Sequence, residues 1–141
     1  MKTFGRFLMV GCLGLLLTLG LVGCGAKDES GINADIDVSG LTAQLDSTDD
    51  QQVIDSLGQL WQAGPRLKPL LPKLIELLKH SNPEVRQLAS YNIYVLGEDA
   101  KEAIEPIKAL MKTERDPNAR MQHVNTWNSI DPDNATPMGQ N

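Results

Sequence analysis

The sequence repeats a helical pattern roughly every 33 residues, and this internal register restricts the fold more than any other feature. The shift that places Gly64 on Gly97 also aligns the leucines and isoleucines of successive segments. A shift longer by one position places segment 82–86, Asn-Pro-Glu-Val-Arg, on segment 116–120, Asp-Pro-Asn-Ala-Arg. A unit of this length cannot bury its apolar face alone, so the register predicts stacked units that share one core.

Apolar spacing and capping residues predict where the helices lie. Leucines in segment 70–78 fall at helical spacing. Asn82 precedes a proline and predicts a helix N-terminus, and Gly97 predicts the end of the same helix. Further helices are predicted over 100–113 and 117–130. Because no segment shows sustained strand alternation, the sequence predicts an all-α fold.

Three short motifs in the middle of the chain resemble those of a known repeat family. Residues 77–79 read Leu-Leu-Lys, residues 82–86 read Asn-Pro-Glu-Val-Arg, and residues 96–97 read Leu-Gly. They resemble HEAT repeats of the short bacterial type, similar to those of phycobilisome-lyase-like proteins. The resemblance covers residues 41–130 and implies a short right-handed α-α superhelix, a HEAT/ARM-like solenoid. It implies little about function.

The same resemblance implies a polar ladder between neighbouring units, which Asp and Arg form in the family. Asp116, Arg86 and Arg120 keep these residue types, whereas Asn82 stands in place of an Asp and Val53 in place of an Arg. The resemblance therefore implies a shorter ladder, only partly ionic, with a structural role.

The last predicted helix is more polar than its predecessor on the apolar stripe. The shift that places Pro83 on Pro117 puts Gln122, His123 and Thr126 at stripe positions of the preceding helix. A terminal repeat needs a polar outer face because nothing stacks beyond it. We therefore interpret the last helix as a capping unit, with His123 half-buried.

The first residues have the three parts of a secretion signal. Lys2 and Arg6 form a positive start, and an apolar run over 7–21 follows. This run is shorter than the roughly 20 residues needed to span a bilayer. The next residues, Leu21-Val22-Gly23-Cys24, resemble the lipobox of bacterial lipoproteins.

The lipobox resemblance implies removal of residues 1–23 by cleavage between Gly23 and Cys24. It also implies a diacylglyceryl group on the Cys24 sulfur and acylation of the new amine, so that the only group carried is covalent lipid and no cofactor is expected. We predict a protein lipid-anchored to a membrane of the bacterial cell envelope. Gly25 stands where an Asp would favour the inner membrane, which points to the periplasmic face of the outer membrane if the host has one. The alternatives are an ordinary signal peptide, or an uncleaved anchor, with a chance cysteine.

Residues 24–40 are small, polar and acidic, and we interpret them as a flexible linker between the lipid and the helical domain. Oxygen-bearing side chains alternate over 33–39 as in a calcium loop. However, Val38 replaces the required glycine and Gln44 replaces the bidentate glutamate, so the linker interpretation is favoured. At the other end, the polar residues 131–141 are predicted to be disordered.

The sequence shows no catalytic or metal-binding pattern, and we predict a protein that is not an enzyme. Cys12 lies in the signal and Cys24 would carry lipid, so no thiol remains. His80 and His123 are far apart and lack neighbouring ligand patterns. The net charge is −5, and the acidic residues concentrate ahead of a nearly balanced core. This balance argues against nucleic-acid binding, which needs a basic stripe, and no motif indicates a small-molecule substrate.

The most specific functional hypothesis concerns an aromatic surface for a protein partner. Trp61 and Tyr94 align under the shift that places Gly64 on Gly97, and Tyr91 lies off the apolar stripe of its helix. We predict that Tyr91 faces outward and binds a partner, with Arg86 or Lys101 at its rim. The alternative is that each aromatic residue packs between helix layers.

The function that these features favour is a membrane-tethered binding or scaffolding module. Two alternatives stay open: an accessory or regulatory subunit of an enzyme, as in the lyase-like relatives, and a purely structural envelope lipoprotein.

Overall fold

The computed structural model describes residues 35–135, and the structural statements that follow concern these residues. They form α-helices joined by short loops and 3-10 segments, and they contain no strand, which confirms the prediction of an all-α fold. The α-helices are α1 (Val38–Gln44), α2 (Asp50–Leu60), α3 (Leu71–Leu77), α4 (Pro83–Leu96), α5 (Ile104–Met111) and α6 (Pro117–Ile130). The 3-10 segments are Trp61–Leu70, Gly97–Ala103 and Pro132–Asn134.

The helices pack as successive pairs. Helix α1 packs on α2, α3 on α4, and α5 on α6, while α4 lies between α2 and α6 and contacts both. The second helices of the pairs therefore stand side by side and form one layer. The predicted stacking of helical units agrees with this order.

Short polar side chains define where the second helices begin. The Asn82 carboxamide oxygen accepts a hydrogen bond from the Glu84 amide at 2.9 Å. Asp116 accepts from the Asn118 and Ala119 amides at 3.0 and 2.8 Å. These bonds satisfy amides that have no partner within the helix, and a proline at the first helical position costs nothing there. The predicted starts of α4 and α6 are confirmed.

Two glycines provide the bends that follow α2 and α4. Gly64 and Gly97 have φ angles of 55° and 52°, a conformation that side chains with a Cβ rarely adopt. Gly64 lies within the 3-10 segment Trp61–Leu70, and Gly97 begins the segment Gly97–Ala103. In the first segment Pro65 and Pro69 remove backbone donors. The repeat of a glycine at this spacing, visible in the sequence, therefore corresponds to a repeated backbone bend.

A single apolar core runs through the helical pairs. Predicted stripe residues such as Leu74, Val85, Ile93 and Ile107 have no exposed surface, whereas Leu88 is only half-buried. The core also includes Leu45, Val53, Leu57, Leu60, Ala63, Leu67, Leu71, Leu77, Leu78, Ala89, Leu96, Ala100, Ala103 and Ile130. No helix within residues 35–135 is long and apolar enough to cross a membrane.

The first helix begins earlier than the sequence predicted. We assigned residues 24–40 to the linker, but α1 begins at Val38. The cause is a local cap, because the Asp37 carboxylate accepts a hydrogen bond from the Gly40 amide at 3.0 Å. The rest of the predicted linker up to residue 34 lies outside the described residues, as do residues 136–141 of the predicted tail.

Candidate functional site

Three aromatic side chains form a continuous strip across α2 and α4. Trp61 follows the last residue of α2, and Tyr91 and Tyr94 are three residues apart on α4, which places them on one face. The Trp61 and Tyr91 rings meet edge to face with centroids 6.3 Å apart. The Tyr91 and Tyr94 rings stack with centroids 5.9 Å apart and planes 13° from parallel. We call these three residues the aromatic strip.

A groove borders the aromatic strip on each side, and together the two grooves extend from the 3-10 segment that follows α2 to α6. Their volumes are about 680 Å³ and about 460 Å³, within the usual range for ligand pockets. None of the lining residues is charged. The groove beside α6 is lined by Tyr91, Tyr94, Gln122, Asn125, Asn128 and Ser129. The groove beside the 3-10 segment that follows α2 is lined by Trp61, Gly64, Pro65, Tyr91, Tyr94, Val95, Gly97 and Ser129.

The strip places the predicted aromatic residues together but changes their roles. Tyr91 is half-buried between the other two rings, whereas Tyr94 is 42% exposed. The residue that faces outward is therefore Tyr94, and Tyr91 supports it from beneath. Sequence reasoning favoured Tyr91 because it considered the stripe of one helix alone. The alignment of Trp61 with Tyr94 was the better signal.

Arg86, which we predicted at the rim of the partner surface, instead holds two units together. Its Nε and Nη2 donate to the two carboxylate oxygens of Glu114 at 2.6 and 2.7 Å. Its Nη1 donates to the backbone carbonyls of His80 and Ser81, both at 2.8 Å. The side chain of Arg86 is only 16% exposed and that of Glu114 only 3%. A guanidinium engaged in this way is part of the internal structure, so the prediction of a rim role for Arg86 was wrong.

Glu114 is the acidic partner of Arg86 in this ion pair. We call the Arg86–Glu114 pair the clasp. Besides binding Arg86, Glu114 accepts hydrogen bonds from the backbone amides of Arg115 and Asp116, both at 3.0 Å. Donation from Arg86 is the largest cause that lowers the pKa of Glu114 to about 2, against the opposing effect of burial. The clasp therefore fixes the start of α6 against the loop that follows α3. Sequence reasoning missed Glu114 because nothing in the chain's local pattern marks a loop residue as buried.

Two other predictions for polar residues concern Lys101 and the polar ladder. Lys101 is exposed on the 3-10 segment 97–103 and lines neither groove. Asn82, which stands in place of an Asp of the family's ladder, still connects neighbouring units. Its side-chain amide donates a hydrogen bond to the Asp50 carboxylate at 2.9 Å. The ladder thus continues through an uncharged donor.

A buried polar cluster joins α4 to α6. The Ser90 hydroxyl lies 2.9 Å from the Thr126 hydroxyl and 3.0 Å from His123 Nδ1. His123 Nε2 in turn lies 3.6 Å from a carboxylate oxygen of Glu114. Ser90, His123 and Thr126 have no exposed surface, so His123 is fully buried rather than half-buried as predicted. We call Ser90, His123 and Thr126 the buried cluster.

The order of serine, histidine and carboxylate resembles a nucleophilic triad, but this geometry serves packing. The hydroxyl of Ser90 is enclosed, and a substrate cannot reach it in this structure. Burial is the largest cause that lowers the pKa of His123, which favours the neutral ring near pH 7. The buried cluster therefore holds two helices together and offers no accessible nucleophile.

No group of three or more His, Cys, Asp or Glu side chains in residues 35–135 is arranged to hold a metal ion. His80 Nε2 lies 3.7 Å from one Asp50 carboxylate oxygen. Its Nδ1 accepts a hydrogen bond from the Asn82 amide at 3.2 Å, so this histidine helps to order the loop before α4. The residues of the predicted lipidation site, Gly23 and Cys24, lie outside the described part of the chain.

One part of the chain matches the model of a known repeat family. Residues 70–100 match the model of the HEAT repeat family. Neither the curated proteins nor the solved structures contain a significant match to the chain. The matched segment contains α3 and α4 with the bend at Gly97, so the family match and the packing of the helix pair coincide. The middle helical unit of this protein is therefore similar to a HEAT repeat.

Proposed function

We propose that this protein is a bacterial lipoprotein whose helical domain binds a partner protein at the cell envelope. In this proposal Cys24 carries the lipid, and residues 24–37 connect the membrane to the first helix. The helical pairs follow the right-handed superhelical path implied by the sequence and act as a scaffold without catalysis. The periplasmic face of an outer membrane is the proposed location in a host with two membranes.

The aromatic strip is the observation that carries the binding role. Tyr94 is one of two large apolar side chains that are well exposed within residues 35–135, and it stacks on the half-buried ring of Tyr91. Tyrosine and tryptophan dominate the energy of many protein interfaces because they bury much area with few rotatable bonds. HEAT repeats generally mediate protein–protein interactions, which supports the same role.

The membrane anchor is tested by metabolic labelling with a clickable palmitate analogue. We expect Cys24→Ala to abolish labelling because no other side chain in the lipobox supplies a thiol. Cys12→Ala is the matched control, since Cys12 would leave with the signal, and this variant should label like the unmodified protein. Undiminished labelling of Cys24→Ala would contradict the lipoprotein proposal.

The binding face is tested by photo-crosslinking in intact cells. A photoreactive phenylalanine at Asn125 lies in the groove beside α6, and one at Glu76 on α3 provides the control, because the Glu76 side chain is 71% exposed away from both grooves. We expect discrete adducts with an envelope protein at Asn125 only. Combining the probe with Tyr94→Ala should reduce the adduct at least about tenfold. The same adducts at both positions would show that the strip is not the binding face.

A further inference from the structure

The absence of charge in both grooves restricts what the aromatic strip can bind. No lining residue is acidic or basic, although charged side chains are common elsewhere on the described surface. Bringing a charged group onto an uncharged aromatic surface removes its hydration without providing a counter-charge, which is unfavourable. The grooves therefore favour an uncharged ligand.

Polar groups in the grooves can pair with a peptide backbone. The side-chain amide of Asn125 has no hydrogen-bond partner within residues 35–135, and it can both donate and accept. The phenol groups of Tyr91 and Tyr94 add further donors beside it. A ligand with free carbonyl groups would complete these hydrogen bonds while its apolar atoms cover the rings.

Few of the recurring modes of peptide recognition fit these features. Addition of a strand needs an open sheet edge, and residues 35–135 contain no strand. Recognition of phosphorylated or acidic motifs needs arginine clusters, and no cation lines either groove. An amphipathic helix needs a continuous apolar floor, whereas amides and a hydroxyl line the groove beside α6.

A polyproline II segment meets each requirement. It has no internal hydrogen bonds, so its carbonyl groups are available to the amide and phenol donors. Its rigid rings pack against aromatic ridges at little entropic cost. The ring centroids are 6.3 and 5.9 Å apart, close to the distance that two residues of this helix span at about 3.1 Å per residue.

We propose that the aromatic strip and its two grooves bind an uncharged, proline-rich segment of the partner protein in the polyproline II conformation. This inference rests on the proposed binding function and adds the chemical class of the partner. Tyr94 is the anchor between the two grooves, and Asn125 hydrogen-bonds to the ligand backbone.

Fluorescence polarisation with labelled decaproline and the full-length chain in a neutral detergent tests the inference. We expect saturable binding with a Kd below about 1 mM. Tyr94→Ala should weaken it at least about tenfold. Met121→Ala is the matched control because Met121 is 56% exposed but lines neither groove, and it should change the Kd less than about twofold. Raising the salt from about 0.05 to about 0.5 M should also leave the Kd within about twofold.

Two further measurements keep the result decisive. Circular dichroism melts show whether each variant is folded. If Tyr94→Ala is unfolded, Asn125→Ala takes its place, with an expected weakening of at least about threefold from the lost hydrogen bond. A Gly-Ser decapeptide tests the need for proline, and chitotetraose tests a neutral glycan as an alternative ligand. Binding of either as tightly as decaproline would overturn the inference.

The failure of this inference is distinguishable from failure of the proposed function. If decaproline does not bind while the Asn125 crosslink in cells depends on Tyr94, the strip binds a protein of another class and only the inference is wrong. If neither is observed, both are wrong. A tenfold loss of decaproline binding at high salt would overturn the uncharged character of the site.

Discussion

The two surfaces of α4 differ in how they hold their neighbours. Toward α2 the contact is mainly apolar, since Val53, Leu57 and Leu60 of α2 are at most 1% exposed, and it contains one buried hydrogen bond, from the Asn92 side-chain amide to the Leu57 carbonyl at 2.9 Å. Toward α6 the contact contains the buried cluster. The clasp adds an ion pair between Arg86 of α4 and Glu114, which precedes α6. Apolar packing stabilises in proportion to the area it buries, whereas buried polar groups stabilise only when each finds its partner. The α2 side of α4 therefore depends mainly on buried apolar area, whereas the α6 side depends on polar groups that match each other.

The family match covers only part of the helical domain. The HEAT repeat match stops at residue 100, before α6 begins. Of the polar residues at stripe positions of α6, His123 and Thr126 face α4 and are buried, whereas Gln122 is half-buried and lines a groove. A polar residue on a stripe can therefore point inward when the neighbouring helix supplies a matching polar group, here Ser90.

The largest effect is expected from breaking the clasp on the polar side. Arg86→Met should destabilise the protein by about 3–5 kcal/mol, because it leaves the carboxylate of Glu114 buried without its counter-charge. Arg115→Met, at an exposed position next to Glu114, is the control and should change the free energy of unfolding by less than about 0.5 kcal/mol. Urea unfolding measures both. Equal effects of the two variants would show that the clasp does not hold the α6 interface.

A comparable loss is expected in the apolar core that α3 shares with α4. Leu74 has no exposed surface, so Leu74→Ala should cost about 2–5 kcal/mol in the free energy of unfolding. Unlike the loss from the clasp, this loss should be the same at pH 7 and pH 3. A cost under about 0.5 kcal/mol, which is typical of surface substitutions, would show that the helical register is wrong.

Acid should weaken the polar interface selectively. The pKa of Glu114 is lowered from 4.5 to about 2, so its stabilisation is complete above pH 4.5 and is lost as the pH falls toward 2. The total is about 3 kcal/mol, of which about 2 kcal/mol is lost by pH 3. The difference in unfolding free energy between the unmodified protein and Glu114→Gln should shrink by that amount between pH 7 and pH 3. A difference that is constant with pH would contradict the lowered pKa.

His123 adds to the acid sensitivity at a higher pH. Its pKa is lowered below 6.5 in the folded protein, chiefly by burial. The unfolded chain therefore binds this proton first, and stability declines as the pH falls through 6.5. Both groups on the polar side act in the same direction, so stability should decrease steadily toward acid.

The smallest effect is expected inside the buried cluster. The Thr126 hydroxyl lies within hydrogen-bond distance of the carbonyls of Ser90 and Gln122, at 2.9 and 2.8 Å, and its one proton is shared between these acceptors. Thr126→Val keeps the shape and removes these bonds, which should cost about 1 kcal/mol. Thr113→Val, at an exposed position, should be neutral to within about 0.5 kcal/mol. Thermal melts of both variants provide the measurement, and a neutral Thr126→Val would show that packing alone sets this interface.

The parts of the fold that depend on local chemistry could be predicted from the sequence. Asn82 and Asp116 each precede a proline and cap a helix by bonds to amides two or three residues away, so the pattern is visible in the chain. Glu114 depends on Arg86, which is distant in the sequence, and on a loop conformation that no local pattern reveals. The outward position of Tyr94 depends on where α6 lies beside α4. The features that the sequence predicted depend on neighbouring residues, whereas those that it missed depend on contacts between residues distant in the chain.

The repeated bend has a consequence for how such a chain can lengthen. Gly64 and Gly97 share nearly the same backbone conformation, with ψ angles of −129° and −133°. A gene duplication that copies the stretch between them would add a unit whose two junctions already have the required geometry. The limit on such growth is chemical, because Ser90 would then face the copied Ala89 and Asn92 in place of His123 and Thr126. Each added copy would need a new polar match at this position, so changes in length and changes in the interface must evolve together.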